Sequence, residues 1–177
     1  MAFEFPDAFD WPPFFTLQPT QATRQKQLQI WTQLVRDYCR SHRVSVMNVS
    51  TVGEGAHLFA NSKINRSLSV PFIQAIIDEM VSQGLAEWVD SSKQRAYIFW
   101  RSLDEWSALL YSKVQEYGLI DGICTLYELT SGDNLKEADF TGADQHVVLR
   151  VISRLEAQGK AALFRGTGSE DGVKFLS

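Results

Sequence analysis

Cysteine and histidine are scarce in this chain of 177 residues: two of the first, Cys39 and Cys124, and three of the second, His42, His57 and His146. Two cysteines cannot build a disulfide framework, which fits a reducing compartment, and the histidines have no paired spacing that would hold a metal. Nowhere is there a GxSxG, HExxH, CxxC or GxxxxGK[ST] pattern, and the carboxylates are scattered in loops, so no catalytic constellation, cofactor or metal site is expected. Long apolar runs are also missing; none approaches the roughly 20 residues that span a bilayer. The opening MAFEFPDAFDWPPFF lacks the basic and uninterrupted apolar regions of a signal peptide, so a cytosolic or nuclear protein is expected. Cations are few as well, 17 Lys and Arg against 21 Asp and Glu. A net charge of -4 gives no global attraction to nucleic acid or to an anionic membrane. The imbalance sits in one half: residues 1–101 carry +1 and residues 102–177 carry -5.

What is present is a soluble globule's composition, 45% hydrophobic and 12% aromatic, and a repeat within it. Shifting the sequence by 75 positions lays Trp31 on Trp106, Leu34 on Leu109, Ile76 on Val151, Ile77 on Ile152 and Gln83-Gly84 on Gln158-Gly159. The same shift sets Ile98 and Trp100 on Val173 and Phe175. A period this long suits a duplicated small domain rather than a solenoid unit.

Each copy reads alike. A helix from about Thr20 to His42 carries Leu28, Trp31, Leu34, Val35, Tyr38 and Cys39 at helical spacing. Its counterpart opens at Ser102-Leu103-Asp104-Glu105, a capping box. Short alternating segments follow, marked by Val44, Val46 and Val49 in one copy and by Ile123 and Thr125 in the other. A last helix ends in each copy on a glycine, Gly84 and Gly159, with Ser69 as N-cap of the first and a weaker box, Thr141 to Asp144, before the second. Two short strands then make a hairpin, Ala86–Asp90 with Arg95–Trp100 and Ala161–Arg165 with Val173–Leu176. The order helix, strand, helix, helix, hairpin is a winged helix. The expected fold class is mainly α with small β hairpins (α+β): a tail over 1–19, one winged helix over 20–101 and another over 102–177, abutted as a rigid rod because no Gly- or Pro-rich linker separates them.

Winged helices commonly read DNA, inserting the last helix with Lys and Arg on the phosphates. Here Val70–Gln83 holds Asp78, Glu79 and no cation, and the second such helix balances Arg150 and Arg154 with Asp144 and Glu156. A nucleic-acid or transcription-associated factor is therefore the alternative reading, not the first. The tail holds four of the five prolines, and Trp11-Pro12-Pro13-Phe14-Phe15 puts two rings behind two prolines. An extended, polyproline-like segment of this kind can dock its rings in a partner's groove at low entropic cost; the competing reading folds it back over its own domain.

The strings PPFFTLQP, TRQKQLQIW, LFANSKINRSL, FWRSLDEWSALLY and TLYELTSGD, in this order across the chain, resemble the vacuolar protein sorting 25 family, the smallest subunit of the endosomal sorting complex ESCRT-II. That resemblance implies two tandem winged helices and a non-enzymatic adaptor, present in duplicate, recruited from the cytoplasm to endosomes through its partners. It implies that Pro12, Pro13, Phe14 and Phe15 dock on the other two ESCRT-II subunits. It further implies that the second winged helix recruits an ESCRT-III subunit, for sorting ubiquitinated membrane cargo into multivesicular endosomes. Where some relatives have a second, upstream Pro-Pro-aromatic motif, this sequence has Phe5-Pro6. ESCRT-III subunits have a basic first helix, and Glu128, Asp133, Glu137 and Asp139 form an acidic strip expected to steer it.

Overall fold

A computed structural model describes residues 2–51, 56–131, 142–166 and 171–177. The chain divides into two compact units, Met1–Trp100 and Arg101–Ser177. In the first, two 3-10 turns (Asp7–Asp10 and Pro12–Phe15) precede helix α1, Gln21–His42. Strand β1 (Val46–Asn48), helix α2 (Ala56–Phe59), the small pair β2 (Ala60–Asn61) and β3 (Arg66–Ser67), helix α3 (Val70–Ser82) and the hairpin β4 (Ala86–Trp88), β5 (Arg95–Ile98) follow. The second unit runs α4 (Leu103–Glu116), β6 (Ile123–Thr125), α5 (Leu126–Ser131), α6 (Gln145–Ala157), β7 (Ala161–Phe164) and β8 (Gly172–Phe175). Each unit has an antiparallel three-stranded sheet with the last strand in the middle, β1-β5-β4 and β6-β8-β7. Both are winged helices.

The helix ends form as their residues dictate. Ser69 Oγ accepts the Phe72 N–H at 3.2 Å, and Ser102 and Glu105 close a full capping box at 3.1 and 3.0 Å. Asp144 caps α6 by accepting the His146 N–H at 2.8 Å; Thr141, the other end of the expected box, lies outside the described residues. Gly84 and Gly159 adopt φ of 73° and 72°, and the residue after each donates back to Met80 and Leu155 carbonyls, which closes a Schellman turn that a Cβ would strain. Thr125 and Glu128 make a further capping box on α5, at 3.1 and 3.0 Å.

Trp31 and Trp106 hold the same place in the two first helices and are wholly buried, Trp31 with Phe59, Ile73, Ile76, Ile77 and Met80, Trp106 with Leu110, Val147, Val151 and Leu155 in its unit's core. Each such side chain contributes roughly 1.5–3 kcal/mol by leaving water, and these two cores account for the order of the elements around them. Two expectations change. In β1 and β6 the core-facing residues are Met47, with Val49 just beyond, and Cys124, while Ile123 points outward and is 69% exposed. The closing strands also correspond at a shift of two residues from the repeat: Ala86 pairs with Ile98 and Ala161 with Phe175, so Ile98 matches Phe175 and not Val173. The extra residues belong to the longer connection of the second hairpin.

Candidate functional site: the amino-terminal tail

The tail is not an extended arm. Pro12 begins a 3-10 turn, a position where its missing N–H costs nothing, and the turn is closed by Phe14 N–H to Trp11 O (3.0 Å) and Thr16 N–H to Pro13 O (3.2 Å). The consequence is that Phe14 and Phe15 point into the first unit and are buried. Phe14 lies parallel to the Trp31 indole with ring centres 4.3 Å apart, and Phe15 meets that indole edge-on at 5.6 Å. Trp31 Nε1 donates to the Phe14 carbonyl at 3.0 Å, so the ring that ranks among the largest core groups also ties down the tail backbone. In the chain by itself the first unit covers these two phenylalanines, which is the fold-back arrangement that competes with docking.

Polar side chains that sequence reading passed over complete the clamp. Gln27, buried one turn before Trp31, directs its Nε2 at the carbonyls of Thr16, Phe14 and Pro13 (2.8, 3.1 and 3.2 Å) and accepts the Gln18 N–H on Oε1 at 3.1 Å. Asn61 Nδ2 donates to Phe9 O at 2.7 Å and to Asp10 Oδ1 at 3.0 Å, while Lys63 pairs with Asp10 Oδ2. Those hydrogen bonds, Lys63 first, hold the Asp10 carboxyl below its usual range. The only sequence signal for Gln27 is a polar residue on the apolar stripe of α1. What the clamp leaves outside is Trp11, 66% exposed, with Pro12 and Pro13 beside it. Upstream, Phe5 stacks on Phe9 at 4.2 Å, and Phe3 and Pro6 wall an apolar groove of about 420 Å³ against Ile30 and Leu34.

Of the acidic strip, Asp133, Glu137 and Asp139 lie outside the described residues. Glu128 is exposed, and one of its carboxylate oxygens is engaged by the Thr125 N–H of its capping box.

The helices that would read DNA have their polar groups spoken for. On α3, Asp78 accepts Trp88 Nε1 at 2.9 Å and pairs with Lys93 at 2.9 Å, which pins the hairpin to the helix and uses up its lysine. On α6, Arg154 pairs with Asp104 at 2.6 Å. Burial pushes the Cys39 thiol far up, and burial with the nearby Glu128 charge raises that of Cys124, so both stay protonated and unreactive at neutral pH. Among the described residues no group of histidine, cysteine and carboxylates could hold a metal, and no helix is long and apolar enough to cross a membrane.

Comparison with known proteins decides the family. The model of the family described as ESCRT-II complex subunit matches residues 8–144. The chain belongs to the ESCRT-II complex subunit family. It is 42% identical over 176 residues to vacuolar protein-sorting-associated protein 25 of Xenopus laevis, covering 99% of this chain and all of that protein. The Arabidopsis thaliana protein of that name is 38% identical over 174 residues, covering 98% of this chain and 96% of the relative. Among solved structures, the crystal structure of subunit VPS25 of the endosomal trafficking complex ESCRT-II superposes with a TM-score of 0.86 at 26% identity, over 97% of this chain and 98% of that one. The crystal structure of the endosomal complex ESCRT-II (VPS22/VPS25/VPS36) contains a chain with a TM-score of 0.81 at 28% identity, covering 94% of this chain and 96% of that one. Those solved chains share the mixed helical and small-sheet architecture described above over nearly all of this chain.

Proposed function

We propose that this chain is a non-enzymatic adaptor subunit of an ESCRT-II complex, present in two copies, cytoplasmic and brought to endosomal membranes through its partners. Its amino-terminal segment docks on the other two ESCRT-II subunits. The second winged helix recruits an ESCRT-III subunit, through Glu128, Asp133, Glu137 and Asp139, and so serves the sorting of ubiquitinated cargo into multivesicular endosomes. The observation that carries the reading is the tail: Trp11, Pro12 and Pro13 stand in water on a turn that Trp31 and Gln27 hold rigidly. A pre-ordered apolar ridge loses little entropy on binding, and tryptophan is among the side chains enriched at the energetic centres of interfaces. Phe14 and Phe15 act from below, as the anchor of that ridge. Family membership and full-length likeness to subunits of ESCRT-II supply the partner.

The test separates ridge from anchor. Trp11→Ala with Pro13→Ala should reduce co-purification with the other two ESCRT-II subunits at least about tenfold while the thermal unfolding temperature of the isolated chain stays within a degree or so. Unchanged co-purification would reject the ridge as the docking surface.

A further inference from the structure

The hairpin of β2 and β3 is small but firmly held. Its connection, residues 62–65, is closed by the Asn65 N–H on the Ser62 carbonyl at 3.2 Å, with Asn65 at a φ of 52°, a left-handed conformation that asparagine tolerates. At its base the Leu68 N–H donates to the Phe59 carbonyl at 2.8 Å, and both of those side chains are buried. On the tail side Asn61 donates to Phe9 O and Asp10 Oδ1, and Lys63 pairs with Asp10 Oδ2. Both oxygens of the Asp10 carboxylate and the Lys63 cation are therefore engaged with one another and with Asn61.

Beside them is a cavity of about 200 Å³ lined by Ala60, Asn61, Ser62, Asn65, Arg66 and Ser67. No carboxylate lines it, and alanine is the one apolar residue in its wall. Arg66 gives one of its five N–H donors to the Asn65 carbonyl at 3.2 Å and keeps the rest. The hydroxyls of Ser62 and Ser67 and the side-chain amide of Asn65 make no hydrogen bond among the described residues. The sign of the site is thus positive, so its ligand is an anion. The donors outnumber the two oxygens of a carboxylate and suit the three of a phosphate monoester. One guanidinium is too few for an anionic membrane, which is held by clusters of about 4–8 cations, and too few for a nucleic-acid backbone. A single phosphate on a protein side chain is what this chemistry fits.

We propose that the β2-β3 hairpin binds a phosphate monoester, the phosphoserine or phosphothreonine side chain of a partner protein, with the Arg66 guanidinium forked on two of its oxygens and Ser62, Asn65 and Ser67 donating around it. Arg66 and Ser67 touch neither Trp11 nor Pro13, so this site and the docking ridge of the tail can fail separately.

The experiment is an NMR titration of the full chain with blocked peptides in which glycines flank phosphoserine, glutamate or serine, and with inorganic phosphate, all at matched ionic strength. The phosphoserine peptide should shift the amides of Ser62, Asn65, Arg66 and Ser67 and bind at least about tenfold more tightly than the glutamate peptide, with no saturable shift from the serine peptide. Arg66→Gln should cut that binding about tenfold or more, and Arg66→Lys, which keeps the charge and loses the fork, should restore only part of it. Arg66 is exposed, so the unfolding temperature should not change. Should Arg66→Gln lower it, Ser67→Ala, which removes one exposed hydroxyl, is read instead and should weaken binding a fewfold. Equal affinity for the phosphoserine and glutamate peptides, shifts confined to another surface, or full binding by Arg66→Gln would overturn the proposal. Inorganic phosphate binding as tightly as the peptide would make the free ion the ligand and overturn the assignment to a partner's side chain. Co-sedimentation with phosphatidylcholine vesicles containing phosphatidic acid, lost in Arg66→Gln, would overturn it in favour of a lipid headgroup.

Discussion

Single side chains decide which way the tail faces. Two phenylalanines behind two prolines are equally good as ligands for a foreign groove and as a lid on their own core, since burial of a ring is worth the same roughly 1.5–3 kcal/mol in either place. Composition could identify the rings as important; it could not choose the surface they meet. The choice rests on atoms distant in sequence, the Trp31 Nε1 and the Gln27 amide, which find the Phe14 carbonyl 17 and 13 residues away. Gln27 is the more exposed to test, because its role depends on hydrogen bonds and hardly on volume. Gln27→Ala should destabilise the first unit by about 1–3 kcal/mol, because the carbonyls of Pro13, Phe14 and Thr16 each lose one of their donors and the Gln18 N–H loses its acceptor. Urea unfolding followed by tryptophan fluorescence measures it, and limited proteolysis should cut the variant earlier among residues 2–19. An unaltered midpoint with unaltered proteolysis would mean that the indole alone holds the tail.

Elements were legible at their ends more than in their middles. Ser69, Ser102, Gly84 and Gly159 have chemistries with few uses other than to start or stop a helix, and each does so. The strands were harder. Three-residue strands carry too little alternation to fix which face is buried, and β6 turned its isoleucine to water because Cys124 is the residue that pairs beside the buried Val173. The Thr125–Glu128 box went unread for a related reason, lying where the strand ends and α5 begins without a residue between. That box bears on the acidic strip. Reversing the charge at Glu128 would also break a helix cap, so loss of ESCRT-III binding by such a variant has two explanations. Glu128→Gln removes the charge and keeps an acceptor for the Thr125 N–H. It should leave unfolding within about 0.5 kcal/mol and lower the association rate for a basic ESCRT-III helix a fewfold at low salt, with the difference vanishing at high salt. Stopped-flow association at two salt concentrations checks it; identical rates would remove Glu128 from the strip.

At the scale of the molecule, a fold that commonly reads DNA is used twice with its recognition surfaces closed. The repeat and the winged-helix order could be seen in spacing alone, because the cores depend on apolar periodicity. Function could not follow from the fold, and the sign came instead from charge. The structure adds a reason beyond the shortage of cations: Asp78 on α3 holds Trp88 and Lys93 of the adjoining hairpin, and Asp104 holds Arg154 of α6, so several of the groups that could have met phosphates meet carboxylates of the same unit. Specific and non-specific DNA affinity both depend on releasing counterions at about 6–10 phosphate contacts, and these pairings occupy Lys93 and Arg154 beside the two last helices. The expected outcome of a fluorescence-anisotropy titration with duplex DNA, carried out at low salt where binding is most favoured, is no saturation into the high micromolar range. Asp78→Lys should unpin the first hairpin and add cations without creating tight binding, since one helix face alone supplies too few contacts. Saturable binding by the unaltered chain, weakening steeply with salt, would return the nucleic-acid reading to first place and make α1, with Arg24, Lys26, Arg36, Arg40 and Arg43, the surface to mutate.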